Sequence, residues 1–288
     1  MYEKTLLIPG ISRQKRTHKM KKILFTDLDG TLLNKESRVV GEMRQALVDM
    51  CKAGHVLVLS SGRPLDSILE VMQDAGLDFP GMYIIANNGT LIYDCDNRKT
   101  LLELRVAYED VAGIWSLAKE NGIHVQTYTD THIVSTEDDK EVQYYRRRIH
   151  LPLLLADDPL TVLNKEPYKV LCIDLEDHDR IAAFQTKLHE QFGERLQTVF
   201  SNPNYLEIFV KEAGKGNGLK FVCNYLNVPV ENSIAAGDAQ NDISMLEAAG
   251  LSVAMCNGDE DIKAMADIVT KRDNHECGLA DVVYEYIL

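Results

Sequence analysis

One tryptophan, eight prolines and six cysteines are spread thinly over 288 residues. The cysteines (Cys51, Cys95, Cys172, Cys223, Cys256 and Cys277) stand singly with no CxxC pair. That removes the usual signs of a zinc cage or a disulfide framework and suggests a reducing, cytoplasmic setting. None of the eight histidines belongs to an HxxxH pair, so none is assigned a metal role. Long apolar runs are missing too: stretches such as residues 151–156 fall well short of the roughly 18 residues a membrane-crossing helix needs. Positive charge is scarce, since 31 Lys and Arg against 44 Asp and Glu leave a formal net charge of −13. Such a surface repels phosphate backbones and anionic lipid, which argues against nucleic acid or a membrane as partner and leaves small ligands. No internal repeat or low-complexity tract interrupts the chain.

An apolar fraction of 45% and a charged fraction of 26% are those of an ordinary globule, long enough for two domains or one large α/β unit. Residues 1–20, basic towards their end, read as a disordered extension, with Met20 as an alternative start just ahead of the first strand. From residue 22 onward, short β-rich runs alternate with amphipathic helical stretches, the pattern of parallel strands joined by crossover helices. Strands are expected at 22–26, 55–60 and 83–86, and helices at 37–53 and 64–75. A turn at Asp96-Asn97-Arg98 between two apolar runs predicts an antiparallel hairpin. Residues 105–206 then mix helices and strands without the acidic motifs that follow strands on either side, and the strand–loop–helix rhythm resumes with LEIFV at 206–210. The expected organisation is a Rossmann-like core over 21–104 and 207–288, with an inserted α+β domain over 105–206.

Four short motifs carry chemistry. Asp27-Leu28-Asp29-Gly30-Thr31 places two carboxylates at the carboxyl end of the first strand, where open α/β sheets bind their ligands, and paired carboxylates suit a hard divalent cation. Ser61-Gly62-Arg63-Pro64 opens a helix after the second strand, where a hydroxyl and unpaired N–H groups favour an anion. Gly214-Lys215-Gly216 sets a lysine at another helix start, without the Ser or Thr and the leading glycine of a Walker loop. Gly237-Asp238-Ala239-Gln240-Asn241-Asp242 adds two more acids and an amide after a further strand. Taken singly, each also reads as a turn, a helix cap or a solvated lysine. At the ends of what read as four parallel strands, they jointly offer a cation site, an anion hole, a nucleophile and a counter-charge.

In this order the motifs resemble the haloacid dehalogenase superfamily of phosphotransferases, in its Cof-type sugar-phosphatase branch with a C2B cap, from Lys21 to the end of the chain. Asn87-Asn88-Gly89-Thr90 and Val253-Ala254-Met255-Cys256-Asn257-Gly258 are similar to further signatures of that branch. Ser61 stands where the branch more often has Thr, which keeps the hydroxyl, while Thr90 stands for Ala, and Cys256 and Gly258 for Gly and Ala. The resemblance implies Asp27 as nucleophile and Asp29 as general acid/base. It implies phosphate holders in Ser61, Gly62, Lys215 and Asn241, substrate contacts from Arg63 and Asn88, and Mg²⁺ at Asp27, Asp29 (through its backbone carbonyl), Asp238 and Asp242. The implied activity is hydrolysis of small phosphorylated metabolites, sugar phosphates first, by a monomer or weak homodimer. A phosphomutase sharing the same aspartyl-phosphate is the alternative, and a phospho-accepting signalling module a more distant one. The inserted domain is expected to set specificity, with Tyr128, His132, Tyr144, Tyr145 and Arg146 as candidates that double as packing or surface residues. The run Arg146-Arg147-Arg148 reads as a solvated helix face beside nearby acids.

Overall fold

A computed structural model describes residues 20–39, 41–147, 149 and 151–288. The extension expected over residues 1–20 lies, apart from Met20, outside the described residues, as does Arg148. The strands run in chain order as β1 (Ile23–Thr26), β2 (Val56–Ser60), β3 (Tyr83–Ala86), β4 (Leu91–Asp94), β5 (Lys99–Glu103), β6 (His124–Tyr128), β7 (Ile133–Ser135), β8 (Leu153–Leu155), β9 (Val170–Ile173), β10 (Leu196–Asn202), β11 (Tyr205–Val210), β12 (Ser233–Gly237), β13 (Leu251–Ala254) and β14 (Ile268–Val269). The helices used below are α1 (Gly41–Lys52), α2 (Leu65–Ala75), α3 (Tyr108–Glu120), α4 (Lys140–Arg146), α5 (His178–Phe192), α6 (Lys215–Tyr225) and α7 (Ile243–Ala248).

The first sheet has eight strands in the order β14-β13-β12-β1-β2-β3-β4-β5. Pairing is parallel from β14 through β3. It turns antiparallel at β4 and β5, which form the expected hairpin. Side chains alternate across the pleat. Leu24, Leu57, Leu59 and Ile84 meet Met43, Leu47 and Met50 of α1 and Ile68 and Met72 of α2 on one face. Ile23, Phe25, Val58 and Ile85 meet Leu219 and Val222 of α6 and Met245 and Leu246 of α7 on the other. Because both faces are covered, the central strands are apolar along their whole length, as KILFT and HVLVLS are. From β1 the chain goes to β2 on one side, and β12 returns on the other. This is a topological switch point, where loops diverge above the strand ends and leave a crevice.

A second sheet has six strands in the order β10-β11-β9-β6-β7-β8. Helices α3 and α5 cover one face through Val111, Ile114, Phe184 and Leu188, packed on Val125, Val170, Cys172, Leu206 and Ile208. The opposite face carries Tyr128, Leu171, Ile173 and Tyr205 with Val142 and Tyr145 of α4. LEIFV was expected to open the returning core segment, but it lies in β11 and belongs to this second sheet, antiparallel to both β9 and β10. Its burial is nearly continuous, so its apolar pattern fits either sheet and only its partners distinguish them. Lys215 therefore does not follow a parallel core strand: it sits at the start of α6, just after the chain leaves the second sheet.

Candidate active site

Asp27 follows β1 directly, and its N–H still donates to the Ala236 carbonyl of β12 at 3.0 Å, so its backbone is held as rigidly as the strand. Lys215 is fully buried, and its Nζ donates to Asp27 Oδ1 and Asp242 Oδ1, each at 2.6 Å. The second oxygen of Asp242 accepts the backbone N–H groups of Asp238 and Ala239 at 3.0 and 3.2 Å, tying the loop after β12 to the same lysine. Asp238 receives the Thr31 hydroxyl at 2.6 Å. Gly30 has φ +88°, and a Cβ built there would lie 2.3 Å from Asp238 Oδ2, so only glycine lets the two acidic loops approach this closely.

One carboxylate oxygen from each of Asp27, Asp238 and Asp242 lies within 4.8 Å of the other two. Burial pushes the Asp27 carboxyl well above the usual carboxylate range; Lys215 opposes this, and Asp242, Asp238 and Asp29 add to it. Asp238 is pushed up to about 7, by burial and then by the charge of Asp242, against the pull of the Thr31 hydrogen bond. Burial disfavours the Lys215 ammonium, but Asp242 and Asp27 outweigh it and hold the proton more tightly than on a free lysine. One ammonium thus faces more negative charge than it neutralises, and the all-oxygen donor set is that of a hard divalent cation. The site fits Mg²⁺ on this ground.

The Asp29 carboxylate stands outside that cluster. It is held in a bidentate pair by Arg63, at 2.7 Å from Nε and 2.6 Å from Nη2, and its side chain is 55% exposed. Of the expected metal set, its carboxylate is therefore not among the clustered side chains. The Ser61 hydroxyl accepts the Arg63 N–H at 3.2 Å. Asn88, at φ 56°, is knitted in by its backbone: its N–H donates to the Ser61 carbonyl and its own carbonyl accepts the Gly214 N–H, both at 3.0 Å. Its side-chain Nδ2 is buried with no hydrogen-bond partner among the described residues, while its Oδ1 accepts from Asn241 at 3.4 Å. An orphaned amide donor costs free energy unless something accepts from it, and a phosphoryl oxygen would.

These groups open onto a cavity of about 550 Å³ between the two sheets. Asp27, Asp29, Ser61, Gly62, Arg63, Asp238 and Asn241 form its floor, and Tyr145, Lys169, Asn202, Tyr205 and Glu207 line it from the second unit. Asn88 and Lys215 lie just behind the floor. Of the specificity candidates, only Tyr145 lines this space; Tyr128, His132, Tyr144 and Arg146 do not. Arg147, read as part of a solvated run, does line it. A larger cavity of about 710 Å³, near Trp115 and His124, contains none of the predicted residues. Sequence reasoning missed Thr31, Lys169 and Glu207. Thr31 lay within the quoted motif, whereas Glu207 sits in β11 and Lys169 just ahead of β9, where the apolar pattern gave them no prominence.

An open parallel sheet with acidic loops at its switch point defines the class, an α/β enzyme that works at its strand carboxyl ends. Residues 24–283 match the haloacid dehalogenase-like hydrolase family, and the chain belongs to it. The chain is 29% identical over 289 residues to the 5-amino-6-(5-phospho-D-ribitylamino)uracil phosphatase YwtE of Bacillus subtilis, covering 90% of this chain and 96% of that one. It superposes on the crystal structure of a haloacid dehalogenase-like hydrolase from Bacteroides thetaiotaomicron with a TM-score of 0.80 and 28% identity, covering 92% of this chain and 98% of that one. It shares its fold with the subclass IIB sugar phosphatase BT4131, with a TM-score of 0.78, 22% identity and coverage of 92% and 99%. The activity class is that of a phosphatase.

Proposed function

We propose that the protein is a Mg²⁺-dependent phosphatase of small phosphorylated metabolites, sugar phosphates foremost, working through an aspartyl-phosphate on Asp27. The observation that carries this reading is the buried Lys215 shared by Asp27 and Asp242, with Asp238 alongside. Lys215 occupies one oxygen of Asp27 and leaves the other to attack phosphorus in line. The P–O bond to the leaving alcohol breaks as Asp29, aimed by Arg63, gives that oxygen a proton. Asp29 then takes a proton from water, whose oxygen displaces Asp27 and releases inorganic phosphate. Ser61, the Gly62 backbone, Asn88 and Asn241 offer hydrogen bonds to the phosphoryl oxygens. Asp27, Asp238 and Asp242 would hold Mg²⁺, whose charge offsets the repulsion between a carboxylate nucleophile and an anionic ester. The second unit would act as the cap, sheltering the reaction from bulk water and touching the leaving group. A mixed polar lining that includes Asn202 and Arg147 suits a hydroxylated leaving group better than a purely apolar one.

The direct test is release of phosphate from p-nitrophenyl phosphate with and without Mg²⁺, followed by a panel of phosphorylated metabolites. Asp27→Asn is expected to abolish turnover, and near-wild-type turnover in that variant would refute the covalent route.

A further inference from the structure

Lys169 immediately precedes β9 and points away from the face that α3 and α5 cover, as does Glu207 on β11. Glu207 pairs across the ladder with Leu171, which makes Lys169 its diagonal neighbour. The two side chains form an ion pair at 2.7 Å, and neither residue is more than 4% exposed. The same ammonium donates to the backbone carbonyl of Gly62 at 2.7 Å. The Ser201 hydroxyl donates to the other carboxylate oxygen of Glu207 at 3.0 Å, and the Tyr128 ring faces the ammonium at 5.4 Å.

A buried ion pair is a poor way to stabilise a fold, because removing two charges from water costs several kcal/mol per ion. This pair is also not enclosed within one unit. Its lysine reaches the cavity wall and ends on the Gly62–Arg63 peptide, in the loop that meets the phosphoryl group in the proposed reaction and whose Arg63 orients Asp29.

We propose that Lys169, aimed by Glu207, is a positioning residue that couples the seating of the second unit to the arrangement of the Ser61-Gly62-Arg63 loop. With the units together, the ammonium trades water for the Gly62 carbonyl and fixes that peptide's orientation. With the units apart, Lys169 and Glu207 are rehydrated and the loop loses its tether. Phosphoryl binding and closure then favour one another, because each stabilises the same loop geometry. This rests on the phosphatase reading above.

The test replaces both charges at once, with Lys169→Met and Glu207→Leu, since an apolar pair of similar volume is often neutral or stabilising and leaves no orphaned charge. The double variant is expected to melt no lower than wild type. Its kcat/KM for p-nitrophenyl phosphate should fall by roughly ten- to a hundredfold, the range of a lost hydrogen bond from a charged donor. Inhibition by inorganic phosphate should weaken in parallel, and Lys169→Arg in the native background should recover part of both. A merely structural pair would move the melting temperature and spare the kinetics. Independently of whether the variants fold, Lys169 of the unmodified protein should react less with an amine-acylating reagent when inorganic phosphate and Mg²⁺ are present. A folded double variant with kinetics within about twofold of wild type, or Lys169 acylation indifferent to phosphate, overturns the coupling. If the wild-type protein is active and Asp27→Asn is not, such a result overturns the coupling alone; a wild-type protein without phosphatase activity overturns both.

Discussion

At the residue scale, the centre of the molecule is an unequal charge balance: Lys215 touches two carboxylates while a third lies within ligand distance of both. Removing the lysine is the costly direction. Lys215→Met should cost about 3–5 kcal/mol, the range for breaking a buried pair and leaving uncompensated charge, read as a shifted midpoint in denaturant unfolding. Removing the nucleophile has the opposite sign in the absence of divalent cation, because the environment of Asp27 disfavours its charged form. Asp27→Asn should therefore melt above wild type in a chelating buffer while losing all turnover, a separation of stability from activity that a purely structural aspartate would not show. Asp29 faces the cavity from its pair with Arg63. Asp29→Asn keeps the shape but cannot carry a proton, and should lower kcat by ~10²–10⁴-fold with only a small change in melting temperature.

At the element scale, the site depends on how closely three loops and the start of α6 can approach. Gly89, at φ +92°, lies against the backbone of Gly214, where an added Cβ would fall 2.4 Å from the Gly214 carbonyl oxygen. Since backbone cannot turn aside as a flexible side chain can, Gly89→Ala must push the start of α6, and Lys215 with it, away from β1. The expected result is a stability loss of about 1–3 kcal/mol together with a fall in kcat, measured by denaturant unfolding and steady-state kinetics on one preparation. The run at residues 253–258 and the residue after it act on the same scale: Asn257 donates to the Gly30 carbonyl at 2.8 Å, and the Asp259 N–H to the Asp238 carbonyl at 2.9 Å, clamping both acidic loops from the far side.

At the scale of the whole molecule, the acidic cluster links metal, pH and stability. Asp238, pushed up to about 7, binds its proton more tightly in the folded chain than in the unfolded one. Between its ordinary value near 4 and about 7 the folded state therefore carries the extra proton, and this group's contribution to stability declines as pH rises through that window. A bound divalent cation favours the ionised carboxylates, so the rise in melting temperature on adding Mg²⁺ should be larger at pH 8 than at pH 5. At a hundredfold excess over its dissociation constant the gain is about 2.7 kcal/mol, or roughly 5–10 °C for a chain of this size, readable by thermal shift. A gain that does not change between the two pH values would place the cation away from this cluster.

The sequence by itself determined the α/β alternation, the motif order and the residues that gather at the site. These are encoded locally, in side-chain period and in loops that follow strands, so Asp27, Ser61 and Asp238 were legible at the ends of β1, β2 and β12. Tertiary structure alone decided which sheet takes Tyr205–Val210, because a fully buried strand has the same apolar pattern whatever its neighbours. It also decided that the Asp29 carboxylate faces Arg63 rather than the clustered acids, and that Lys169 ends on Gly62, 107 positions earlier in the chain. Those partners are set by how two sheets meet across a cavity, and no local pattern records a contact between groups so far apart in sequence.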